Sequence, residues 1–230
     1  MNSGEHWDKL PFVPAVSDLS VFCPNTDDYL ILCDGNSITR HGTSADIAER
    51  LGWKITAGMA ASCEANDYVH LLAGKIQNAL PAKKVKLIFT NMKDVSGIDP
   101  DLVIIQGGEH CLPGQIQEYE ANYTGLIAGY KQRKNNPQII LISIWNPTCR
   151  QEYFECTGEN YQENALAIRE MQRNTAEKFG IEFADMSALE NITENTGCGE
   201  VAAVRWHPSD SGMKAIADMV FDLWQKDVKK

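Results

Sequence analysis

The sequence predicts an α/β fold, a parallel sheet wrapped by helices on both faces, and three observations carry that expectation. Short apolar, β-rich runs alternate with longer stretches of helical periodicity. At 230 residues, 43% hydrophobic and 23% charged, the chain can bury about 70% of the surface its unfolded form exposes, so its core requires neither disulfide nor metal. No repeat, low-complexity tract or linker divides it, so one domain over 1–230 is expected, with 1–28 as an irregular lead-in packed on it.

The lead-in carries Pro11, Pro14 and Pro24, and the first strand follows it as the apolar run Tyr29-Leu30-Ile31-Leu32-Cys33. Val85 to Thr90, Asp101 to Gln106, Gln138 to Trp145 and Ile181 to Ala184 read as further strands. Between them, Asn66 is placed to cap a helix whose Val69, Leu72, Ile76 and Leu80 share one face. Ile116, Tyr119, Tyr123, Leu126, Ile127 and Tyr130 mark a second helix, and Tyr161, Ala165, Ile168 and Phe179 a third with looser spacing. A last helix starts after Pro208-Ser209 and turns Met213, Ile216, Val220 and Leu223 inward, which gives His207 a rigid base.

Charge narrows the partners. With 21 basic against 31 acidic residues the net charge is −10, which opposes nucleic acid and anionic membrane surfaces and favours a small, neutral substrate. The first residues have neither a basic start nor an apolar stretch, so no signal peptide is read, and no later run is long enough to span a bilayer. A cytoplasmic location is expected, unless a leader has been removed. Seven cysteines, an odd number with no Cys-x-x-Cys pair, read as reduced thiols. A zinc site built on Cys149, Cys156 and a histidine has no supporting spacing, and neither a metal nor a cofactor is expected.

The chemistry gathers where the first strand ends. In Leu32-Cys-Asp-Gly-Asn-Ser-Ile-Thr39, Gly35 permits a tight turn that leaves the Ser37 hydroxyl at the carboxyl end of the strand, where open α/β sheets bind ligands. A serine hydroxyl is a weak nucleophile and needs a base and donors for the oxyanion it creates. His207, in Arg205-Trp-His-Pro-Ser-Asp-Ser-Gly212, is the candidate base. Taken singly, Ser37 also reads as a turn cap and His207 as a surface residue before a helix; the two together favour catalysis.

These residues resemble the SGNH hydrolases, also called GDSL-type esterases and lipases, over most of the chain. Gly35-Asn36-Ser37-Ile38-Thr39 is similar to the family's first block, with Asn36 in place of its usual aspartate. The resemblance implies a flavodoxin-like, doubly wound sheet, Ser37 as nucleophile, and an oxyanion hole formed by the N–H groups of Ser37 and Gly58, the glycine of Ala57-Gly-Met-Ala-Ala-Ser62.

The third block departs most, since a Gly-x-Asn-Asp-like segment is expected and Gln106-Gly-Gly-Glu-His110 stands there. In one register Glu109 takes the asparagine position, where a carboxylate could accept but not donate. In the other His110 takes it and donates from a neutral imidazole; this register is preferred, with Glu109 left behind the site or against substrate. The last block resembles Asp-x-x-His-Pro, but Val204 stands where the aspartate would be. A Ser37–His207 dyad is therefore expected, with the second imidazole nitrogen held by a main-chain carbonyl near Val204 or by a carboxylate such as Glu109.

His41 is placed at the pocket rim or on a solvent-facing loop, His70 inside a helix, and Asp34 against nearby backbone. Trp53, Trp145, Tyr153, Phe154 and Trp206 read as core or as faces for sugar rings and acyl chains. The function the resemblance implies is hydrolysis of carboxylic esters through an acyl-enzyme, with short acyl groups, acetyl on a carbohydrate among them, as expected substrate. An inactive SGNH-like protein that binds an acylated ligand is the alternative, and a flavodoxin-like cofactor binder ranks last because no phosphate-cradling glycine loop follows the first strand.

Overall fold

The structure, a computed structural model, describes residues 10–90, 95–150, 161–197 and 199–228. β1 (Asp28–Asp34), β2 (Lys84–Phe89), β3 (Leu102–Gln106), β4 (Gln138–Ile142) and β5 (Glu182–Ala184) form one sheet in the order β2-β1-β3-β4-β5. Every neighbouring pair is parallel. The strands fall on the apolar runs read from the sequence, except that β4 stops at Ile142 and leaves residues 143–145 as a loop.

Side-chain alternation along each strand builds two cores. Ile31, Cys33, Leu87, Ile104 and Ile140 pack under α2 (Tyr68–Ala79) and the last helix, α6 (Asp210–Val228). Leu30, Leu32, Val103, Ile105 and Leu141 pack on the other face, under α3 (Ile116–Lys131) and α4 (Tyr161–Phe179). A sheet covered on both faces needs strands without polar alternation, and β3 is buried at all five positions. The flavodoxin-like doubly wound sheet is thus present.

Three local details differ from the sequence reading. The short helices α1 (Ala45–Leu51) and α5 (Ala202–Arg205) carried no long apolar face and went unread. The cap of α2 is Asp67, whose carboxylate accepts from the His70 N–H at 2.9 Å, while Asn66 ends a 3-10 turn and reaches Asp210 instead. In the lead-in, Ala15 pairs with Leu87 and the Val16 N–H donates to the Leu87 carbonyl at 2.8 Å, so this segment meets the outer edge of β2 at its middle instead of crossing the sheet.

This strand order makes the chain leave β1 toward β2 and return on the other side as β3. The carboxyl ends of β1 and β3 therefore open a crevice. Gly35 closes it from below, because a Cβ there would sit 2.1 Å from Thr39 Oγ1 and 3.0 Å from the Gln106 carbonyl oxygen. Thr39 cannot readily yield, being fully buried and hydrogen-bonded to the Tyr68 hydroxyl at 2.8 Å. Gly35→Ala is expected to lower stability by about 1–3 kcal/mol, read as a shift of the urea midpoint. An unchanged midpoint would show that the turn relaxes around the methyl group.

Candidate active site

After β1 the chain turns at once. The Asn36 carbonyl accepts from the N–H groups of Thr39 and Arg40, and the Asn36 side-chain oxygen accepts from the Ile38 N–H at 3.2 Å. This Asx-type turn sets Ser37 at its head, half-buried, with Oγ 2.9 Å from His207 Nε2. His207 arrives from the other end of the chain, just before α6, whose first turn is capped by Ser209 Oγ accepting from the Gly212 N–H.

The second imidazole nitrogen, Nδ1, is 3.2 Å from the Val204 carbonyl oxygen. Because a carbonyl only accepts, Nδ1 carries the proton in the neutral ring and Nε2 presents its lone pair to the Ser37 hydroxyl. Of the two anchors considered from sequence, the main-chain carbonyl is the one present; Glu109 bonds elsewhere.

His207 is 2% exposed. Trp206 stacks on it at 3.7 Å between ring centroids, and Trp206 is itself fixed by Trp145 Nε1 donating to its carbonyl at 2.8 Å. Burial pushes the His207 pKa down from 6.5 to about 3, against the Val204 carbonyl, which favours the charged ring. His41, Arg150 and His110 add to the lowering by like-charge repulsion, which places all of them around this imidazole.

The loop before α2 is laced to the Ser37 turn. His41 and Ala57 exchange backbone hydrogen bonds of 2.7 and 3.2 Å, and the Met59 N–H donates to the Ser37 carbonyl at 2.8 Å. Gly58 departs from expectation, because its N–H donates at 3.1 Å to the buried Asp67 carboxylate and is not presented to Ser37. The Ala57 and Ala61 N–H groups are also taken, by His41 and Gly58 carbonyls. Among the described residues the Ala60 N–H has no acceptor, and Ala60 holds the left-handed conformation, φ 73°. The Ser37 N–H likewise has no acceptor among the described residues.

Glu109 is 3% exposed. Its Oε2 accepts from Asn36 Nδ2 at 2.5 Å, and its Oε1 from Gln106 Nε2 at 2.7 Å and the Trp145 N–H at 2.8 Å. The buried Arg150 guanidinium donates to the Glu109 carbonyl and to Asn146 Oδ1. His110 points outward instead, exposed beside this buried carboxylate, so it stands at the rim and not in the donor position preferred for it.

His41, half-buried, also stands at the rim, with Nδ1 2.7 Å from the Gly42 carbonyl. His70 is buried in α2 with Nδ1 2.7 Å from Asp67 Oδ1. Asp34 accepts from the Tyr130 hydroxyl, not from neighbouring backbone. Trp53, Trp145 and Trp206 are all buried, which removes them as exposed sugar platforms. Tyr153, Phe154, Cys156 and Cys198 lie outside the described residues. Asp67, Gln106 and Arg150 were missed from sequence; Asp67 alone left a signal, as an acidic residue directly before a helical pattern. Among the described residues no group of three His, Cys, Asp or Glu side chains is disposed to hold a metal ion, and no helix is long and apolar enough to cross a membrane.

No protein-family model matches the chain, and no curated protein matches it. Solved structures do. A two-domain esterase active on acetylated mannans is 15% identical, with 86% of this chain covered and a TM-score of 0.52; this chain spans about half of that protein's length, 49%. The psychrotrophic esterase EstA from Pseudoalteromonas sp. is 17% identical, over 88% of this chain and 100% of its own, with a TM-score of 0.56. A protein from Slackia heliotrinireducens assigned to the SGNH hydrolases is 18% identical, over 86% of this chain and 99% of its own, with a TM-score of 0.55. Strand order, the serine turn after β1 and these likenesses converge, and the chain has the SGNH hydrolase fold.

Proposed function

We propose that this protein is a serine hydrolase of carboxylic esters that works through a Ser37–His207 dyad and an acyl-enzyme. One observation carries the reading: Ser37 Oγ lies 2.9 Å from His207 Nε2, with Nδ1 turned to the Val204 carbonyl, so the lone pair faces the hydroxyl. Ser37 attacks the acyl carbon while its proton passes to Nε2. The oxyanion is received by the Ser37 N–H and, in place of Gly58, by the Ala60 N–H, which has no acceptor among the described residues and follows Met59, whose N–H is bonded to the Ser37 carbonyl. The imidazolium then protonates the departing alcohol, and water repeats the cycle to free the acid.

Short acyl groups, acetyl on a carbohydrate foremost, are the proposed substrates. The support is the company the fold keeps, which includes the esterase active on acetylated mannans and an acetyl xylan esterase 16% identical to this chain. The inactive-binder reading drew on Val204 and on the altered third block; on the first point, a carbonyl at Val204 supplies the orientation the missing aspartate would have given.

Wild-type protein is expected to hydrolyse p-nitrophenyl acetate and to take a fluorophosphonate label that Ser37→Ala does not. Absence of both from the wild type would overturn the enzyme reading. The base must be neutral to act, and a pKa lowered to about 3 keeps it so, with activity lost only as pH falls toward that value. kcat/KM should therefore hold nearly level from pH 7 to pH 5, where an ordinary imidazole would be only about 3% neutral. A limb centred near 6.5 would contradict this.

Ala60→Gly keeps the N–H and removes the strain of a Cβ at φ 73°. It is expected to raise stability by about 0.5–1 kcal/mol, seen in the thermal midpoint, with the esterase rate retained.

A further inference from the structure

We propose that Glu109 is a positioning residue that holds the nucleophile turn through Asn36, as a matched carboxylate–amide pair. The inference rests on Ser37 being the nucleophile. Both carboxylate oxygens of Glu109 are occupied, and their donors come from the ends of β1 (Asn36), β3 (Gln106) and β4 (Trp145). Trp145 in turn holds the Trp206 carbonyl, next to His207. One buried carboxylate thereby joins the turn that carries the hydroxyl to the segment that carries the imidazole.

Asn36 is suited to this role at both ends of its amide. Oδ1 accepts from the Ile38 N–H and closes the turn, while Nδ2 donates to Glu109. An aspartate at this position would accept from Ile38 equally well but would set a second carboxylate 2.5 Å from the first. The two departures from the family's blocks, Asn36 and Glu109, are therefore complementary: each makes the other tolerable in a buried site. Other ionisable groups around Glu109 are the phenols of Tyr68, Tyr119 and Tyr123, which burial holds protonated, the Glu190 carboxyl and the Arg150 guanidinium.

The test is a donor–acceptor exchange in the full chain. In Asn36→Asp the two facing carboxylates share one proton to above the ordinary carboxylate range, so kcat should fall as pH rises through that shared pKa, with KM steady. At pH 8 the loss should reach about 100-fold, the scale of a displaced nucleophile. Glu109→Gln sets two amide donors against each other and should lower kcat across the pH range.

The double variant N36D/E109Q restores a donor facing an acceptor, and its new amide oxygen can still receive Gln106 and Trp145. It should recover kcat to within about threefold of wild type, with a level pH profile, as expected for strongly coupled neighbours. Wild-type kcat in E109Q, or a double variant no faster than the slower single one, would overturn the pairing. A wild type that neither hydrolyses the ester nor takes the phosphonate instead overturns the function proposed above. The pair can still be judged in that case from thermal midpoints. N36D should lose stability relative to wild type as pH rises, because its folded carboxylates bind a proton that the unfolded chain releases, and the double variant should regain it. A pH-independent difference would sink the pair on that readout as well.

Discussion

The hydrogen bond from His207 Nδ1 to the Val204 carbonyl is the constraint on which the site depends. It fixes which nitrogen bears the proton, and hence whether the hydroxyl 2.9 Å from Nε2 meets a lone pair or another donor. A carboxylate in that place would do two things, select the tautomer and stabilise the imidazolium formed in the reaction. A peptide carbonyl does the first fully and the second only as a dipole. In a well-studied serine protease triad, changing the aspartate to asparagine lowers kcat about 10⁴-fold, largely by selecting the wrong tautomer. Here the tautomer is right, so as far as the acceptor is concerned the loss in the proposed reaction is the difference between a charged and a neutral one. That difference is about 1–1.5 kcal/mol, or roughly tenfold in rate.

The fold lets a single carbonyl suffice. Trp206 lies against the ring, its carbonyl tied to the buried Trp145, and Ser209 starts α6 two residues beyond His207. The imidazole is thereby held on its face and at both chain ends. The serine side is equally constrained, by the Asx turn within its own loop, by the Met59 N–H from the neighbouring loop and by the Asn36–Glu109 contact from across the crevice. These restraints start from the carboxyl ends of parallel strands, where the doubly wound order draws the chain apart and leaves room for a ligand.

Much of this was legible in the sequence, for reasons that can be stated residue by residue. Strands buried on both faces must be apolar throughout, so Leu102 to Ile105 could be read as β3. A Gly-Asn-Ser turn after such a run and a His-Pro-Ser cap before an amphipathic helix are local signals, and both ended where expected. What escaped was decided by partners distant in sequence. Gly58 was expected as a donor from its likeness to the second-block glycine of the SGNH hydrolases, yet its N–H turns to Asp67, and the strained backbone falls on Ala60, where composition gives no hint. The third block could be set in two registers because a carboxylate and an imidazole are both plausible beside a reacting centre. Burial separates them, since Glu109 finds three donors inside and His110 finds solvent. α1 was missed because none of its residues is buried.

Burial of His207 affects the two halves of the proposed reaction in opposite senses. A base whose pKa is pushed to about 3 accepts the serine proton less readily than an ordinary imidazole, which slows attack unless the oxyanion is well held. The same shift makes the imidazolium a stronger acid once formed, and so better able to protonate an alcohol that leaves poorly. An activated ester such as a nitrophenyl acetate needs little help with its leaving group and registers mainly the weakness of the base. An ester of a sugar hydroxyl needs the proton and draws on the strength of the acid. The buried imidazole thus trades strength as a base for strength as an acid within the proposed reaction.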